Sequence, residues 1–399
     1  MVVSSHASPG ALSPDGNLGR ALRVGFVGLR SPFVKANWSG TPYYAMTELK
    51  RRFGGQMSVY DTPELDRRLF QLNKVTSRLG LDIQREPLVS WVYRERLDRM
   101  IANHRPHVIV SVGATQKLAL TDARVPIVHV SDALFATITG YYPSFRNLSQ
   151  RTLRLGNAIQ QKLLDRCGAV MLSSTWARDD AIAAYDIAPE KVHSVPLGAN
   201  IEEDPGSDIA LEPKGRLRLL FIGMDWKRKG GPRTIEVFRH VRSRHPDAEL
   251  HIVGCDPPEA RGEPNVRTHG MLRKSDKAQY RLFDDLLRTA SFFVMPSEQE
   301  AYGLAYCEAA AFGLPVVALQ TGGVPTIVRH GETGLLFEGS TPPDAIADAI
   351  MDLWQDRARY DAFRAAARTR YEEELTWEAW GDRVEQAIRD LGRNAGATG

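Results

Sequence analysis

Residues Met295 to Pro315 read MPSEQEAYGLAYCEAAAFGLP and predict a loop that joins a strand to a helix. The apolar run that ends at Met295 (SFFVM) is typical of a short buried strand, and the polar loop after it extends to Tyr302. An Ala-rich helix is predicted from Gly303 to Phe312, and Gly313 ends it. The order is therefore strand, loop and helix.

Two carboxylates bracket the turn that opens this helix. Glu308 falls four residues after Leu304, on a face that is otherwise apolar, so the pattern predicts that it is buried. A buried carboxylate needs hydrogen-bond donors, and the vicinal hydroxyls of a ribose match its two oxygens. Glu300 lies in the loop that faces the same opening. The structural alternative is that Glu308 caps a neighbouring helix or pairs with an Arg.

Backbone N–H groups at the start of the helix predict an anion site beside these carboxylates. The amides of Tyr302, Gly303 and Leu304 come together at a helix N-terminus, where free donors and the helix dipole favour a phosphate. A carboxylate for a ribose and donors for a phosphate together indicate a nucleotide-sugar site.

Length and composition narrow the class of protein. A chain of 399 residues is too long for one ordinary domain and predicts two large ones. Its 43% hydrophobic and 25% charged residues are typical of a soluble globular enzyme, and no apolar run approaches the ~20 residues that span a bilayer. Three widely separated cysteines exclude a disulfide framework and a zinc site of short spacing. The N-terminal tail lacks the continuous apolar core of a signal peptide, so we predict a cytoplasmic protein.

Charge is distributed unevenly along the chain. Residues 1–200 carry 25 Lys and Arg against 16 Asp and Glu, which leaves 26 and 32 for the rest. The basic half predicts attraction of an acidic acceptor or peripheral contact with an anionic membrane surface. The alternative is an ordinary solvated face.

Short apolar strand candidates alternate with amphipathic helices in two successive segments, as in a parallel sheet covered on both faces. The strand candidates are 23–29, 56–60, 107–112, 127–130 and 168–172, then 217–222, 249–253, 291–295 and 314–318. We predict a disordered tail at 1–20, a first domain at 21–200, a polar linker at 201–215, a second domain at 216–375, a helix at 376–392 that crosses back to the first domain, and a loose tail at 393–399.

Taken together, the alternating halves, the linker and the two glutamates with seven residues between them resemble the retaining glycosyltransferases of family 4, also called glycosyl transferases group 1. The resemblance covers roughly 22–389 and includes the segments Gly313 to Val317 (GLPVV) and Thr321 to Pro325 (TGGVP). It implies the GT-B fold, an α/β architecture in which two Rossmann-like, doubly wound parallel-sheet domains face each other across a cleft. It also implies that the N-terminal domain binds the acceptor and the C-terminal domain the nucleotide sugar.

The same resemblance assigns roles to residues of the C-terminal half. Glu308 corresponds to the carboxylate that holds the ribose, Glu300 to the one beside the donor sugar, and the Tyr302–Leu304 turn to the part that receives diphosphate and sugar. Phe221 to Gly231 (FIGMDWKRKGG) is similar to the strand and loop whose cations hold the diphosphate. Lys229 falls on the Lys position. Met224 stands where an Arg is usual, so Arg228 or Lys227 must supply the second cation, and Thr326 stands where many relatives have a carboxylate.

In the N-terminal half, two segments are similar to parts of the family's active site. Gly40, in WSGTPY, resembles the glycine loop near the donor phosphates, although it also fits a plain turn before a helix. After the strand PIVHV, Asp132 takes the place of a reaction-centre His, and His129 is predicted to be a core residue. Thr139 to Pro143 is predicted as a loop suitably placed for acceptor contacts.

We therefore predict a hexosyltransferase that moves a sugar from a nucleoside diphosphate sugar to an acceptor hydroxyl with retention of configuration. Glu300, Asp132 and Lys229 are the predicted catalytic residues. The resemblance implies that no metal ion or other cofactor is needed, since fixed cations stabilise the leaving diphosphate. The partners are the donor and a glycan, lipid-linked or small-molecule acceptor, without nucleic acid. The alternatives are a non-catalytic binder of nucleotide sugars or glycans and a GT-B epimerase.

Overall fold

The computed structural model describes residues 22–76 and 82–397, so the predicted tail at 1–20 and residues 398–399 lie outside the described residues. The chain forms two parallel six-stranded sheets flanked by helices. The strands are β1 (Val24–Gly28), β2 (Met57–Val59), β3 (Val108–Val112), β4 (Ile127–Ser131), β5 (Cys167–Leu172), β6 (Val192–Ser194), β7 (Arg218–Ile222), β8 (Glu249–Val253), β9 (Val266–Thr268), β10 (Phe292–Val294), β11 (Val316–Leu319) and β12 (Gly334–Phe337).

Helices follow most of the strands, as the sequence pattern predicts for a sheet covered on both faces. They are α1 (Thr41–Phe53), α2 (Pro63–Thr76), α3 (Pro87–His104), α4 (Thr115–Leu118), α5 (Phe135–Ile138), α6 (Gln150–Leu164), α7 (Thr175–Ala184), α8 (Ser207–Ala210), α9 (Gly231–Arg244), α10 (Lys277–Thr289), α11 (Leu304–Ala311), α12 (Val324–Ile327), α13 (Pro343–Gln355), α14 (Arg357–Glu374) and α15 (Trp377–Ala397).

Strand order creates one ligand crevice in each sheet. The first sheet has the order β2-β1-β3-β4-β5-β6, and the second has β12-β11-β10-β7-β8-β9. The order reverses between β1 and β3 in the first sheet and between β7 and β10 in the second. Open parallel sheets bind ligands at the carboxyl ends of the strands beside such a reversal. We call the described residues of 22–199 with α15 the N-terminal lobe, and 202–375 the C-terminal lobe.

The central strands are almost wholly apolar and buried, because helices cover both of their faces. All five residues of β1, of β3 and of β4 are buried, as are all four of β11. Three strands that the sequence does not predict, β6, β9 and β12, are three or four residues long and lie at sheet edges. β6 and β9 contain polar residues and lack a continuous apolar run, whereas β12 is apolar but only four residues long.

The chain crosses between the lobes at two adjacent places. Ala199 N–H donates a hydrogen bond of 2.8 Å to the carbonyl of Leu375, and Trp377 Nε1 donates to Asn200 Oδ1 at 2.9 Å. After the second crossing, α15 packs against α1, where Arg52 bonds to carboxylates of α15.

The predicted loose tail at 393–399 requires correction over its described residues 393–397, because α15 continues to Ala397. Its last described turns follow without a break from the packed part of the helix. Arg393 pairs with Asp390 three residues earlier, a spacing that supports helix.

Candidate functional site

The loops after β7 and β10 bring a carboxylate and two cations together at the reversal of the second sheet. Lys229 Nζ donates to Glu300 Oε2, and Arg228 Nη1 lies 4.0 Å from the same oxygen. Ser297 Oγ lies 3.4 Å from it. Glu300 is buried, and burying a charge requires such a set of partners. Lys229 therefore bonds directly to the predicted catalytic carboxylate, and Arg228 lies at ion-pair distance from it.

Close contacts join the loop that carries the two cations to the loop that carries Glu300. Gly230, at φ +77°, lies so close to the second loop that a Cβ would stand 2.0 Å from the carbonyl oxygen of Pro296. Arg228 Nη1 donates to the carbonyl of Gln299 at 2.9 Å, which ties one loop to the other. Lys227 is exposed, so Arg228 is the second cation of this cluster.

The turn before α11 depends on glycine. Gly303 has φ +101°, and a Cβ would lie 2.4 Å from the ring of Tyr306. The helix begins at Leu304, one residue later than predicted, and Gly303 is its N-cap. The Tyr302 side chain is buried, and its hydroxyl donates to the carbonyl of Leu197 at 2.7 Å. Tyr302 can therefore serve an anion through its backbone only.

Glu308 is buried on α11, as the helix pattern predicts, but it has a cationic partner. Lys274 Nζ donates to Glu308 Oε1 at 2.5 Å and to the carbonyl of Asn200 at 2.9 Å. The structural alternative is thus present, with a Lys in place of an Arg. The pair lies where the lobes meet, because Asn200 Nδ2 donates to the carbonyl of Ser39 in the N-terminal lobe at 2.6 Å.

The predicted glycine loop has an unusual backbone. Trp38, Ser39 and Gly40 have φ values of 45°, 55° and 95°, all in the left-handed region. Such a run is costly for residues with a side chain, and it is typical of functional loops. Gly40 caps α1, with Pro42 in the first turn, and the Trp38 side chain donates to the Asp132 carboxylate.

Asp132 follows the end of β4, and His129 lies inside the strand. Burial raises the pKa of Asp132 to about 6, although hydrogen bonds from Ala133 N–H and Trp38 oppose the shift. The charge of Glu300 adds to the rise, so the two carboxylates are within electrostatic reach of each other. Burial lowers the pKa of His129 to about 4, and its Nδ1 bonds to Ser111 Oγ at 3.0 Å. His129 is therefore a neutral residue of the sheet interior.

Two tyrosines of the loop after α5 reach across to the C-terminal lobe. The hydroxyl of Tyr141 accepts the N–H of Glu300 at 2.7 Å, and that of Tyr142 accepts the N–H of Ala301 at 2.8 Å. Thr326, which stands where relatives have a carboxylate, joins the lobes through a 3.1 Å bond from Thr175 N–H to its Oγ1. Sequence reasoning placed the tyrosines in a loop but missed these partners.

The predicted site residues therefore form two neighbouring groups. Glu300, Arg228 and Lys229 form the first, with Asp132 in electrostatic reach. Glu308 and the Gly40 loop belong to the second, which Lys274 and Asn200 complete. Among the residues in 22–76 and 82–397, no three His, Cys, Asp or Glu side chains come close enough to hold a metal ion.

Two segments of the chain match known glycosyltransferase families. Residues 43–203 match the family described as Glycosyltransferase Family 4, and residues 216–356 match Glycosyl transferases group 1. The chain belongs to glycosyltransferase family 4. Arg228, Lys229, Glu300 and Glu308 all lie within the residues covered by the second match.

Curated relatives in family 4 include D-inositol 3-phosphate glycosyltransferases. That of Corynebacterium glutamicum is 28% identical over 251 residues, which are 58% of this chain and 59% of the relative. That of Corynebacterium kroppenstedtii is 27% identical over 295 residues, 67% of this chain and 63% of the relative. The matched part of the chain thus spans about three-fifths of the length of these relatives.

Solved structures of similar shape show the GT-B fold. Sucrose-phosphate synthase from Thermosynechococcus elongatus superposes with a TM-score of 0.65 at 18% identity, over 93% of this chain and 99% of the other. Anabaena HepE in complex with UDP-glucose gives 0.63 at 15% identity, over 92% and 100%. This chain therefore has the GT-B fold predicted from its family 4 motifs.

Proposed function

We propose that this protein transfers a sugar from a nucleoside diphosphate sugar to an acceptor hydroxyl with retention of configuration and without a metal ion. One observation carries the proposal: the buried Glu300 meets Lys229 and Arg228 where the second sheet reverses its strand order, beside the helix that bears Glu308. This edge of an open parallel sheet is where ligands bind.

The donor would use both groups of the site. Arg228 and Lys229 together carry one positive charge more than Glu300, and this excess would face the diphosphate with the amides at the start of α11. Glu308 would accept the ribose hydroxyls, with Lys274 retained on one oxygen or displaced. Glu300 would lie beside the sugar, where Lys229 holds its carboxylate in place.

In the transfer step, the bond between the sugar's anomeric carbon and the diphosphate oxygen breaks, and a bond from the acceptor oxygen to that carbon forms on the same face. The acceptor proton passes to an oxygen of the departing diphosphate. Charge grows on this leaving group, so Arg228 and Lys229 would stabilise the transition state more than the ground state. Asp132, on the opposite lobe, would contact the acceptor or the sugar.

In this scheme, Arg228 and Lys229 provide the charge stabilisation of the leaving group that a metal ion would otherwise supply. Activity should therefore persist in the presence of a chelator. A requirement for added magnesium or manganese would contradict this part of the proposal.

The first experiment is a thermal-shift and turnover screen with UDP-, GDP-, ADP- and dTDP-sugars. A ligand at about 100 times its Kd stabilises a protein by about 2.7 kcal/mol, which gives a visible shift. UDP-glucose is the first donor to test because HepE binds it. D-inositol 3-phosphate is the first acceptor, after the name of the relatives.

Two other functions give different results in the same screen. A non-catalytic binding protein would be stabilised by a nucleotide sugar but would release no nucleoside diphosphate with any acceptor. An epimerase would alter or cleave the donor without an acceptor. Acceptor-dependent release of the diphosphate, with a new glycosidic product of unchanged anomeric configuration, would establish the transferase.

A peripheral membrane contact belongs to the proposal as well. None of the helices that the structure describes has both the length and the apolar character needed for a bilayer crossing. Large apolar side chains are nevertheless exposed in the N-terminal lobe, on α2, on α3 and after β1. They are Phe33, Val34, Phe70, Leu72, Val75, Leu88, Trp91 and Val92.

Such side chains beside basic residues would favour an anionic lipid surface. Sedimentation with phosphatidylcholine vesicles, with and without phosphatidylglycerol, tests this contact. We expect binding to require phosphatidylglycerol. The double variant Leu88→Ser/Trp91→Ser should weaken it, and the control Met271→Ser, at another exposed side chain, should not. Equal sedimentation of all three proteins would contradict it. The cytoplasmic location stays a prediction.

A further inference from the structure

The N-terminal lobe holds the catalytic loop of the C-terminal lobe through two tyrosine hydroxyls. Tyr141 Oη accepts the N–H of Glu300 at 2.7 Å and bonds to Thr321 Oγ1 at 3.0 Å. Tyr142 Oη accepts the N–H of Ala301 at 2.8 Å. These two amides directly precede the turn that opens α11, so they belong to the segment that carries the Glu300 carboxylate.

The surroundings of the two rings make this contact specific. Gly322 lies so close that a Cβ would stand 2.5 Å from Tyr141 Oη, and the ring of Tyr141 packs against Trp176 with centroids 4.9 Å apart. The guanidinium of Arg228 lies 5.3 Å from the centroid of the Tyr142 ring, a cation–π distance. Tyr142 therefore touches both the backbone beside Glu300 and the second cation of the site.

The environment of the Tyr142 hydroxyl favours a neutral group over a charged one. Burial raises the pKa of Tyr142, and the charges of Glu300 and Asp132 raise it further, so the phenol stays neutral. A neutral phenol oxygen can accept a backbone N–H without adding negative charge beside the two carboxylates. If the lobes separated, the two amides would lose these acceptors.

We propose that Tyr141 and Tyr142 are positioning residues that couple closure of the lobes to placement of Glu300 and Arg228. The inference rests on the proposed transfer reaction, because it assigns the tyrosines to the same site. In the closed form the hydroxyls hold the Glu300 loop against the N-terminal lobe and exclude water from the donor sugar. When the lobes open, the loop is released and products can leave.

The test compares Tyr141→Phe, Tyr142→Phe and the double variant with Tyr185→Phe. Phenylalanine keeps the ring and removes the acceptor, which leaves a buried N–H unpaired in the closed form. Tyr185 is the matched control because its hydroxyl also accepts a backbone N–H, that of Ala136 at 3.0 Å, but within one lobe. Each lost bond should shift the closed–open equilibrium about 2- to 10-fold toward the open form.

Small-angle X-ray scattering of the whole chain, without ligand and with UDP, measures closure independently of activity. We expect a larger radius of gyration for the double variant than for wild type and Tyr185→Phe. With an active donor, the double variant should also hydrolyse a larger fraction of it per transfer and show a lower kcat with little change in the donor KM.

An unchanged radius of gyration in all variants would overturn the proposed coupling, whether or not a donor had been found. Failure of the transfer reaction itself would appear differently. The wild type would then release no diphosphate with any donor, while the scattering difference between the double variant and Tyr185→Phe would remain.

Discussion

Lys274 Nζ lies 2.5 Å from Glu308 Oε1, so a lysine from the segment before α10 neutralises a buried carboxylate of α11. The Lys274 side chain is 29% exposed and that of Glu308 is 7% exposed. Pairing therefore matters more to the buried Glu308 than to the partly exposed Lys274. Water can solvate the ammonium group alone, whereas the carboxylate cannot lose its partner without a large cost.

This asymmetry predicts unequal losses of stability. Lys274→Met should lower the free energy of unfolding by about 1–3 kcal/mol, because it leaves the Glu308 charge buried and unpaired. Glu308→Gln should cost less than about 1 kcal/mol, since Lys274 keeps water and the carbonyl of Asn200. Urea unfolding at neutral pH measures both values. Equal losses would mean that the pair is not buried as described.

Glu308→Gln should nevertheless weaken nucleotide binding. A carboxylate that accepts two ribose hydroxyls forms charge-assisted hydrogen bonds, and their loss should raise the Kd for UDP about 10- to 100-fold. Titration calorimetry with UDP gives the comparison. Glu332→Gln, at an exposed ion pair with Arg329, is the control and should bind as wild type does. An unaltered Kd in Glu308→Gln would remove the ribose role.

Lys229 and Lys227 differ by two positions and should differ strongly in function. Lys229 contacts Glu300, whereas Lys227 is exposed. Lys229→Met removes the charge that we propose faces the leaving group, and it should lower kcat about 100-fold or more. Lys227→Met should retain the wild-type kcat. Steady-state kinetics with saturating donor make the comparison, and a similar kcat for both variants would contradict the assigned roles.

Asp132 should make both stability and activity depend on pH. Its pKa is raised to about 6 by burial, above the unfolded value, so its contribution to stability is full below about pH 4 and is lost as the pH rises through 6. Asp132→Asn removes this loss. The variant should therefore gain stability relative to wild type at pH 8, and the gain should vanish near pH 4.

Thermal unfolding across this range measures the effect. If ionised Asp132 is needed for transfer, the rate of the wild type should fall below about pH 6, and the variant should lack this titration. A stability difference that does not change with pH would show that Asp132 has an ordinary pKa.

Glycine at position 303 should be needed for two separate reasons. Its φ of +101° disfavours any side chain, and a Cβ would lie 2.4 Å from the Tyr306 ring. Gly331 has a φ of +79° with open space around the missing Cβ, so Gly331→Ala isolates the backbone cost of about 1 kcal/mol. Gly303→Ala should lose about 1–3 kcal/mol more in urea unfolding. Equal losses would show that the steric contact relaxes freely.

The sequence predicts the fold well where burial acts on both faces of a strand. Continuous apolar runs reveal β3, β7 and β8, because every residue of a central strand meets a helix or a neighbouring strand. The same reasoning misses β9, whose residues Val266, Arg267 and Thr268 are polar enough for a loop. Edge pairing is decided by the neighbouring strand, which local sequence does not reveal.

The candidate site is predictable in its charged residues and not in their partners. Glu300, Glu308 and Lys229 stand out because their spacing follows the strand, loop and helix order. Tyr142 meets Ala301 across 159 positions, and the residues near Tyr142 carry no signal for that contact. Lys274 is one of many exposed-looking lysines in the sequence, and only the packing of α10 brings it to Glu308.

Two neighbouring strands of backbone connect the lobes, and Ala199 and Leu375 are hydrogen-bonded where they run side by side. A single tether would let the lobes twist, slide and swing. With two adjacent crossing segments, the lobes can rotate about one hinge axis, while twisting and sliding of one lobe against the other are resisted. Shortening the chain before α15 would remove one of the two crossing segments. The lobes would then lose their fixed relative orientation, even though each sheet remained intact.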